Sequence, residues 1–251
     1  MKVNIKDELV EKIIEEKIEK IAEIEMEKKL LNIKEQPKTS IISESAINFT
    51  NLSRIKEFGF NYNWLQEKYR NKLDQRYYTM QIALNLFLQF QGKTIVETGC
   101  QRIKDDWGGG CSTSIFGEFC HKYGNKLYTI DNSREYMEVA KQVTLDFKEN
   151  ITYICDDSIH CLQTYKFPHI DLLYLDSMDC CELENVNNKE AQKHELAELT
   201  AIYDKLPTHT IILLDDSLFK NGGKTKLSKE FLISKKCLLL IDYQQTLFLK
   251  I

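Results

Sequence analysis

TIVETGCQRIKDDWGGGCSTSIFGEFCHKYGNKLYTID, residues 94–131, is the stretch that decides the fold. Thr94–Thr98 is a β-prone run with one acid in it. A glycine-rich connection follows, then helical spacing over Ser112–Tyr123, then a second apolar run over Lys126–Ile130. Strand, helix and strand in that order make a right-handed crossover, and its two strands must be parallel. The alternation continues with strands predicted at Ile151–Cys155, Ile170–Leu175 and Thr210–Leu214. Helices are predicted at Arg134–Phe147, Ile159–Tyr165 and Asn188–Leu206. Pro168 and Pro207 precede the fourth and fifth strands, where a missing N–H costs least. After a helix over Lys226–Ser234, Leu238–Ile241 and Thr246–Ile251 are joined by the short Asp242–Gln245 connection, the pattern of an antiparallel hairpin. The expected fold is α/β: a seven-stranded, mostly parallel sheet with helices on both faces and a C-terminal antiparallel hairpin.

Toward the N-terminus, Asn63–Phe90 reads as a helical stretch with one break. Residues 32–50, with Pro37 and many Ser and Thr, read as a linker. Over residues 7–31, Val10, Ile14, Ile18, Ile21 and Ile24 recur at steps of three and four among Glu and Lys. This amphipathic helix reads as docked on its own domain or frayed in solution, or as a coiled-coil helix that makes a homodimer. The chain thus divides into 1–50 (helix and linker), 51–90 (helical lead-in) and 91–251 (α/β domain).

At 251 residues, 43% hydrophobic and 29% charged, the composition is that of a soluble globular protein. Ten glycines and three prolines are too few for a collagenous or turn-dense all-β chain. A net charge of −4 offers no basic field for a phosphate backbone, so nucleic acid is not the expected partner. The start, MKVNIKDELVEK, has no apolar export segment, and no apolar run is long enough to cross a bilayer. The eight cysteines lack metal-finger spacing and are expected to be reduced, in the cytoplasm.

Ligands of an open parallel sheet bind beyond the carboxyl ends of its strands. Here those ends are acidic: Glu97, Asp131, Asp156 with Asp157, Asp176, and Asp215 with Asp216. Some of these acids would cap helices. Asn132 with Glu135 makes a plausible capping box, which would leave Asp131 unoccupied for ribose hydroxyls. Asn187 with Glu190 would likewise leave Asp176 free. Gly99, Gly108, Gly109 and Gly110 all fall in the first strand-to-helix connection, where backbone comes close to a ligand.

The ordered set Val96-Glu97-Thr98-Gly99, Gly110-Cys111-Ser112-Thr113, Ile130-Asp131, Asp156-Asp157-Ser158 and Asp171 to Asp176 resembles the class I S-adenosylmethionine-dependent methyltransferases, from about Leu84 onward. The resemblance implies a Rossmann-like domain in which Glu97 and Gly99 lie under the methionine part of the cofactor. It also implies that Ser112 and Thr113 hold the cofactor carboxylate at a helix N-terminus, that Asp131 binds the ribose, and that Asp157 and Ser158 border the adenine. Cys100–Trp107 departs from the family's short loop and reads either as a lid or as an exposed loop with Trp107 packed inward.

Asp176 with Leu214-Asp215-Asp216-Ser217 further resembles the divalent-metal O-methyltransferases, which implies Asp176, Asp215 and Asp216 as ligands of Mg²⁺. Asp216 stands where that subset has Asn, and Met178-Asp179-Cys180 stands where it has a base Lys. Three carboxylates without a cation would repel, and one should titrate high. The implied reaction is in-line methyl transfer to a hydroxyl of a small-molecule acceptor, aided by Asp176 and by a base. His194 sits about 140° around the helix from the stripe of Leu199, Ile202 and Leu206, so it is expected to face solvent, and Glu195 is the alternative base.

Competing readings are a non-catalytic methyltransferase-like interaction module and another nucleotide-binding Rossmann-type enzyme. Asn221-Gly222-Gly223-Lys224-Thr225 looks like the second half of a phosphate-binding loop, but Leu218 stands where the first glycine belongs, so the pair of glycines reads as a turn.

Overall fold

The computed structural model describes residues 64–73, 76–108, 111–180 and 188–251. All of them fall in one compact unit, Ser45–Ile251. The predicted helix over 7–31, the linker and the dimer contact lie outside the described residues, as does Asn187.

The elements run α1 (Trp64–Tyr69), α2 (Arg76–Gln89), β1 (Thr94–Thr98), α3 (Ser112–Tyr123), β2 (Lys126–Asp131), α4 (Arg134–Val143), β3 (Ile151–Cys155), α5 (Ser158–Thr164), β4 (Leu172–Leu175), α6 (Lys189–Ile202), β5 (Ile211–Leu214), α7 (Lys226–Ser234), β6 (Leu238–Asp242) and β7 (Thr246–Leu249). Two helices stop earlier than their apolar pattern predicts. At the end of α4 the Thr144 hydroxyl donates to the Ala140 carbonyl at 2.5 Å, and a 3-10 turn follows over Leu145–Asn150. A β-branched hydroxyl that binds back onto the helix offers the backbone an alternative to continuing it. Beyond α6, Tyr203–Lys205 is likewise a 3-10 turn.

The seven strands lie in the order β3-β2-β1-β4-β5-β7-β6. Strands β1 to β5 pair in parallel, and β7 pairs antiparallel with both β5 and β6, which closes the sheet with the expected hairpin. Strands β1, β4, β5 and β7 are buried at every position, as strands covered on both faces must be.

Side-chain alternation sorts these strands onto two cores. Ile95, Leu172, Tyr174, Ile211 and Leu213 pack with Met80 and Phe87 of α2 and Phe116 of α3. Val96, Leu173, Leu175, Ile212 and Leu214 pack on the other face with Leu162, Leu199 and Leu232 of α5, α6 and α7. The α2 segment is therefore part of the sheet's own cover. Strand β1 lies between β2 and β4, so strands are added in opposite directions on its two sides, and the crevice of such a sheet opens at its carboxyl end.

Candidate active site

The ladder runs one residue past the strands. The Gly99 N–H donates to the Ile130 carbonyl at 2.8 Å, Asp176 N–H to Thr98 at 3.0 Å and Asp215 N–H to Leu175 at 3.3 Å. Strand-end residues are thereby held in a row. Gly99 has φ +81°, and a Cβ there would lie 2.2 Å from the Asp176 carbonyl oxygen. Only glycine lets the β1 and β4 ends come this close.

On the β1–β2 side, Glu97 is fully buried. Its Oε2 accepts the hydroxyls of Thr113 on α3 and Thr129 on β2, both at 2.8 Å, whereas Oε1 has no hydrogen-bond partner among the described residues. Burial pushes this carboxyl up to about 7, against the pull of the Ser112, Thr113 and Thr129 hydroxyls. The Thr113 hydroxyl also accepts the Gln101 N–H at 2.9 Å, so strand, helix and loop meet at one side chain. Helix α3 begins at the buried Ser112 after Cys111, which makes no side-chain cap, and the first N–H groups of any α-helix lack intrahelical partners. Such N–H groups and the helix dipole favour an anion.

Asp131 corrects one expectation. Its carboxylate is already engaged, Oδ2 accepting the Cys100 N–H at 3.1 Å and Oδ1 the Ser133 N–H at 2.8 Å. The predicted Asn132–Glu135 capping box is absent: Ser133 is the cap of α4 and accepts the Tyr136 N–H. Moving the cap by one residue turns Asp131 into the clasp between the ends of β1 and β2.

Asp157 caps α5 by accepting the His160 N–H at 2.8 Å. Ser158 is buried, with its hydroxyl 3.2 Å from His194 Nε2. The expectation of a solvent-facing His194 is therefore overturned. Its side chain is 20% exposed, set between Ser158 and Glu198, whose Oε1 lies 3.6 Å away. Helix α6 packs on α5 and α7 as well as on the sheet, so its flanks are covered and a single apolar stripe does not define its buried side. In the Cys100–Trp107 loop, Trp107 packs inward on Tyr69 at 5.4 Å, and Arg102 pairs with Asp179 at 2.6 Å.

On the β4–β5 side the three aspartates do converge. One oxygen from each of Asp176, Asp215 and Asp216 lies within 4.8 Å of the others. Two cations that the sequence reading did not place are set among them. Arg76 of α2 reaches Asp215 at 3.1 Å and Asp216 at 3.2 Å. Lys224, only 2% exposed at its side chain, donates to Asp176 and lies 3.4 Å from Asp216. The Tyr174 hydroxyl stands 3.1 Å from Asp176 and 3.0 Å from Asp215, and Gln245 donates to it.

Burial drives the Asp176 carboxyl well above the usual carboxylate range despite Lys224, and it drives Asp216 up as well. At Asp215 burial is opposed by Arg76, Lys224 and hydrogen bonds, which together hold the carboxyl low. Repulsion raising part of an acid trio is what the sequence predicts. Glu195, on α6, is also buried and pushed up to about 8 by that burial, and neither of its oxygens has a hydrogen-bond partner among the described residues. Asp176, Met178, His194, Glu195 and Lys224 line one small pocket beside the end of β4.

The donor set can be tested against Mg²⁺. Three carboxylates alone would suit a hard cation. Here, however, Lys224 and Arg76 already hold the oxygens such an ion would take, so the residues do not fit a bound divalent metal. Gly222 and Gly223 form the predicted turn, and that turn delivers Lys224: at φ +58°, a Cβ on Gly223 would lie 1.7 Å from the Asp216 carbonyl oxygen. The Gly-Gly-Lys-Thr run is the local sequence signal for Lys224. Arg76 carries no local signal.

Comparison with known proteins agrees with this architecture. A family model described as a methyltransferase domain matches residues 107–217. No curated protein matches the chain. A candidate caffeoyl-CoA O-methyltransferase from Staphylococcus aureus is similar in structure at 13% identity, with 79% of this chain and 96% of that one covered and a TM-score of 0.50. CalS11, a TDP-rhamnose 3'-O-methyltransferase of calicheamicin biosynthesis, is similar at 14% identity, 85% and 96% coverage and a TM-score of 0.48. A candidate rRNA-methylase from Clostridium thermocellum follows at 13% identity, 63% and 89% coverage and a TM-score of 0.44. At such identities the likeness speaks to the fold and not to the acceptor. The family match places a methyltransferase domain over residues 107–217, within a seven-stranded sheet of the order described above.

Proposed function

We propose that this protein transfers the methyl group of S-adenosylmethionine in line to a hydroxyl of a small-molecule acceptor, in the cytoplasm. The observation that carries the reading is the pairing, across β1, of an open helix N-terminus and a strand-end carboxylate with an acid-lined pocket at β4. The orphaned Glu97 Oε1 and the uncapped α3 fit a ligand that is cationic at one point and anionic at another, as an amino acid moiety is. Ser112 and Thr113 open that helix, Gly99 keeps the floor low and Asp131 offers its remaining lone pairs to the ribose. Asp157 and Ser158 border the adenine. When bound, S-adenosylmethionine supplies an electrophilic methyl on a sulfonium.

The chain's own part is alignment and proton handling. Asp176, at the end of β4 beside the pocket and paired with Lys224, accepts the hydrogen of the acceptor hydroxyl. Glu195, whose carboxyl burial pushes up to about 8, lines the same pocket and orients the acceptor. Free thiols at Cys100, Cys111, Cys120, Cys155, Cys161 and Cys237 agree with a reducing compartment. Among the described residues no helix is long and apolar enough to cross a membrane.

The test is calorimetric titration of the purified chain with S-adenosylhomocysteine. Saturable one-site binding is expected. No binding by folded protein would leave the reading of a non-catalytic interaction module.

A further inference from the structure

The acidic rim of β4 and β5 has its own counter-ions. Asp176, Asp215 and Asp216 sum to three negative charges when ionised, and a divalent cation would bring two positive ones. Lys224 and Arg76 bring the same two. They do so from opposite sides: Arg76 Nε and Nη2 reach Asp215 and Asp216 from α2, and Lys224 Nζ reaches Asp176 and Asp216 from the β5–α7 connection. Lys224 also donates to the Met178 carbonyl at 3.3 Å, and the Arg76 guanidinium to the Gly108 carbonyl at 3.3 Å. Each cation is thus tied to backbone as well as to carboxylate.

Several constraints built into the backbone serve this arrangement. Asp216 has φ 56°, in the left-handed region, and Gly223 packs against its carbonyl at a distance no other residue permits. A buried ammonium without partners would cost several kcal/mol, so Lys224 is stable here only because the acids surround it.

We propose that Lys224 and Arg76 are permanent counter-ions that stand in place of a divalent metal at Asp176, Asp215 and Asp216, so that this methyltransferase works without one. The proposal stands on the carboxylate geometry and not on the acceptor. A hard cation needs several oxygens at about 2.0–2.6 Å, and it would have to expel both side chains to gain them.

The test uses Mn²⁺ as the probe, followed by electron paramagnetic resonance and calorimetry on the full chain, with circular dichroism to show that each variant is folded. The wild type is expected to show no stoichiometric Mn²⁺ site with a Kd below about 1 mM. Lys224→Ala should gain one site, roughly tenfold tighter or more than any wild-type binding, and Lys224→Ala with Asp216→Asn should lose it again. Should Lys224→Ala fail to fold, Arg76→Gln carries the same expectation.

A wild-type site of micromolar Kd that Asp216→Asn removes would overturn the proposal. So would folded Lys224→Ala and Arg76→Gln proteins that both gain nothing. S-adenosylhomocysteine affinity, measured separately with Mg²⁺ and with EDTA, should agree within about twofold. Absence of that affinity would overturn the proposed function and leave the metal result standing.

Discussion

The two halves of the crevice are built differently. On the β1–β2 side, Glu97, Gly99, Ser112, Thr113 and Asp131 come from one crossover unit, and their contacts are hydroxyl and backbone hydrogen bonds. On the β4–β5 side, Arg76, Asp176, Asp215 and Lys224 come from α2, the end of β4 and the β5–α7 connection, and their contacts are ion pairs among largely buried groups. The first half is a local structure that any chain with that motif order tends to form. The second exists only when the whole domain has closed, and its energy resides in charges that cannot be removed one at a time without leaving another unpaired.

The sharpest way to break this contrast is Lys224→Met. Removing one partner of a buried charge network should lower unfolding free energy by about 3–5 kcal/mol in urea denaturation. S-adenosylhomocysteine affinity should stay within a few-fold, because Lys224 belongs to the other half. A parallel fall in both would mean that the halves are one unit.

Next in size is a pH effect. The Glu195 carboxyl rises from 4.5 to about 8 on folding, so its neutral form contributes stability that is complete below pH 4.5 and is lost as pH rises through 8. Glu195→Gln should flatten the stability profile over that window, with a difference of at most about 4 kcal/mol between its ends. A wild-type profile already flat there would show that solvent reaches this carboxyl. Asp131→Ala probes the opposite half. Loss of a charged acceptor for ribose should weaken S-adenosylhomocysteine by about tenfold to a hundredfold, with a smaller stability loss from the freed Cys100 and Ser133 amides.

The smallest effect separates two neighbouring residues. Ser133→Ala should cost about 1 kcal/mol as the cap of α4, and Asn132→Ala should cost clearly less. The reverse order would restore the Asn132 capping box.

Much of the first half was legible in the primary structure. The strand β1, the helix α3 and the closing hairpin follow from apolar runs and punctuation, which record burial directly. The list of strand-end acids was also readable, because strand ends can be counted once the strands are known. Their occupancy was not. Asp131 was expected to be free and is a clasp, since the cap slid from Asn132 to Ser133, a choice settled by backbone direction at the end of β2. His194 was placed in solvent by a helical wheel, which knows the angle of a residue but not how many neighbours a helix has.

The sequence by itself determined the order of strands and helices, the parallel sheet and the acidic rim, because hydrophobic periodicity and turn chemistry act over a few residues. Only the tertiary structure decided what neutralises that rim. Coulomb interactions depend on distance in space, and Arg76 and Lys224 reach the same aspartates from positions that no local pattern relates.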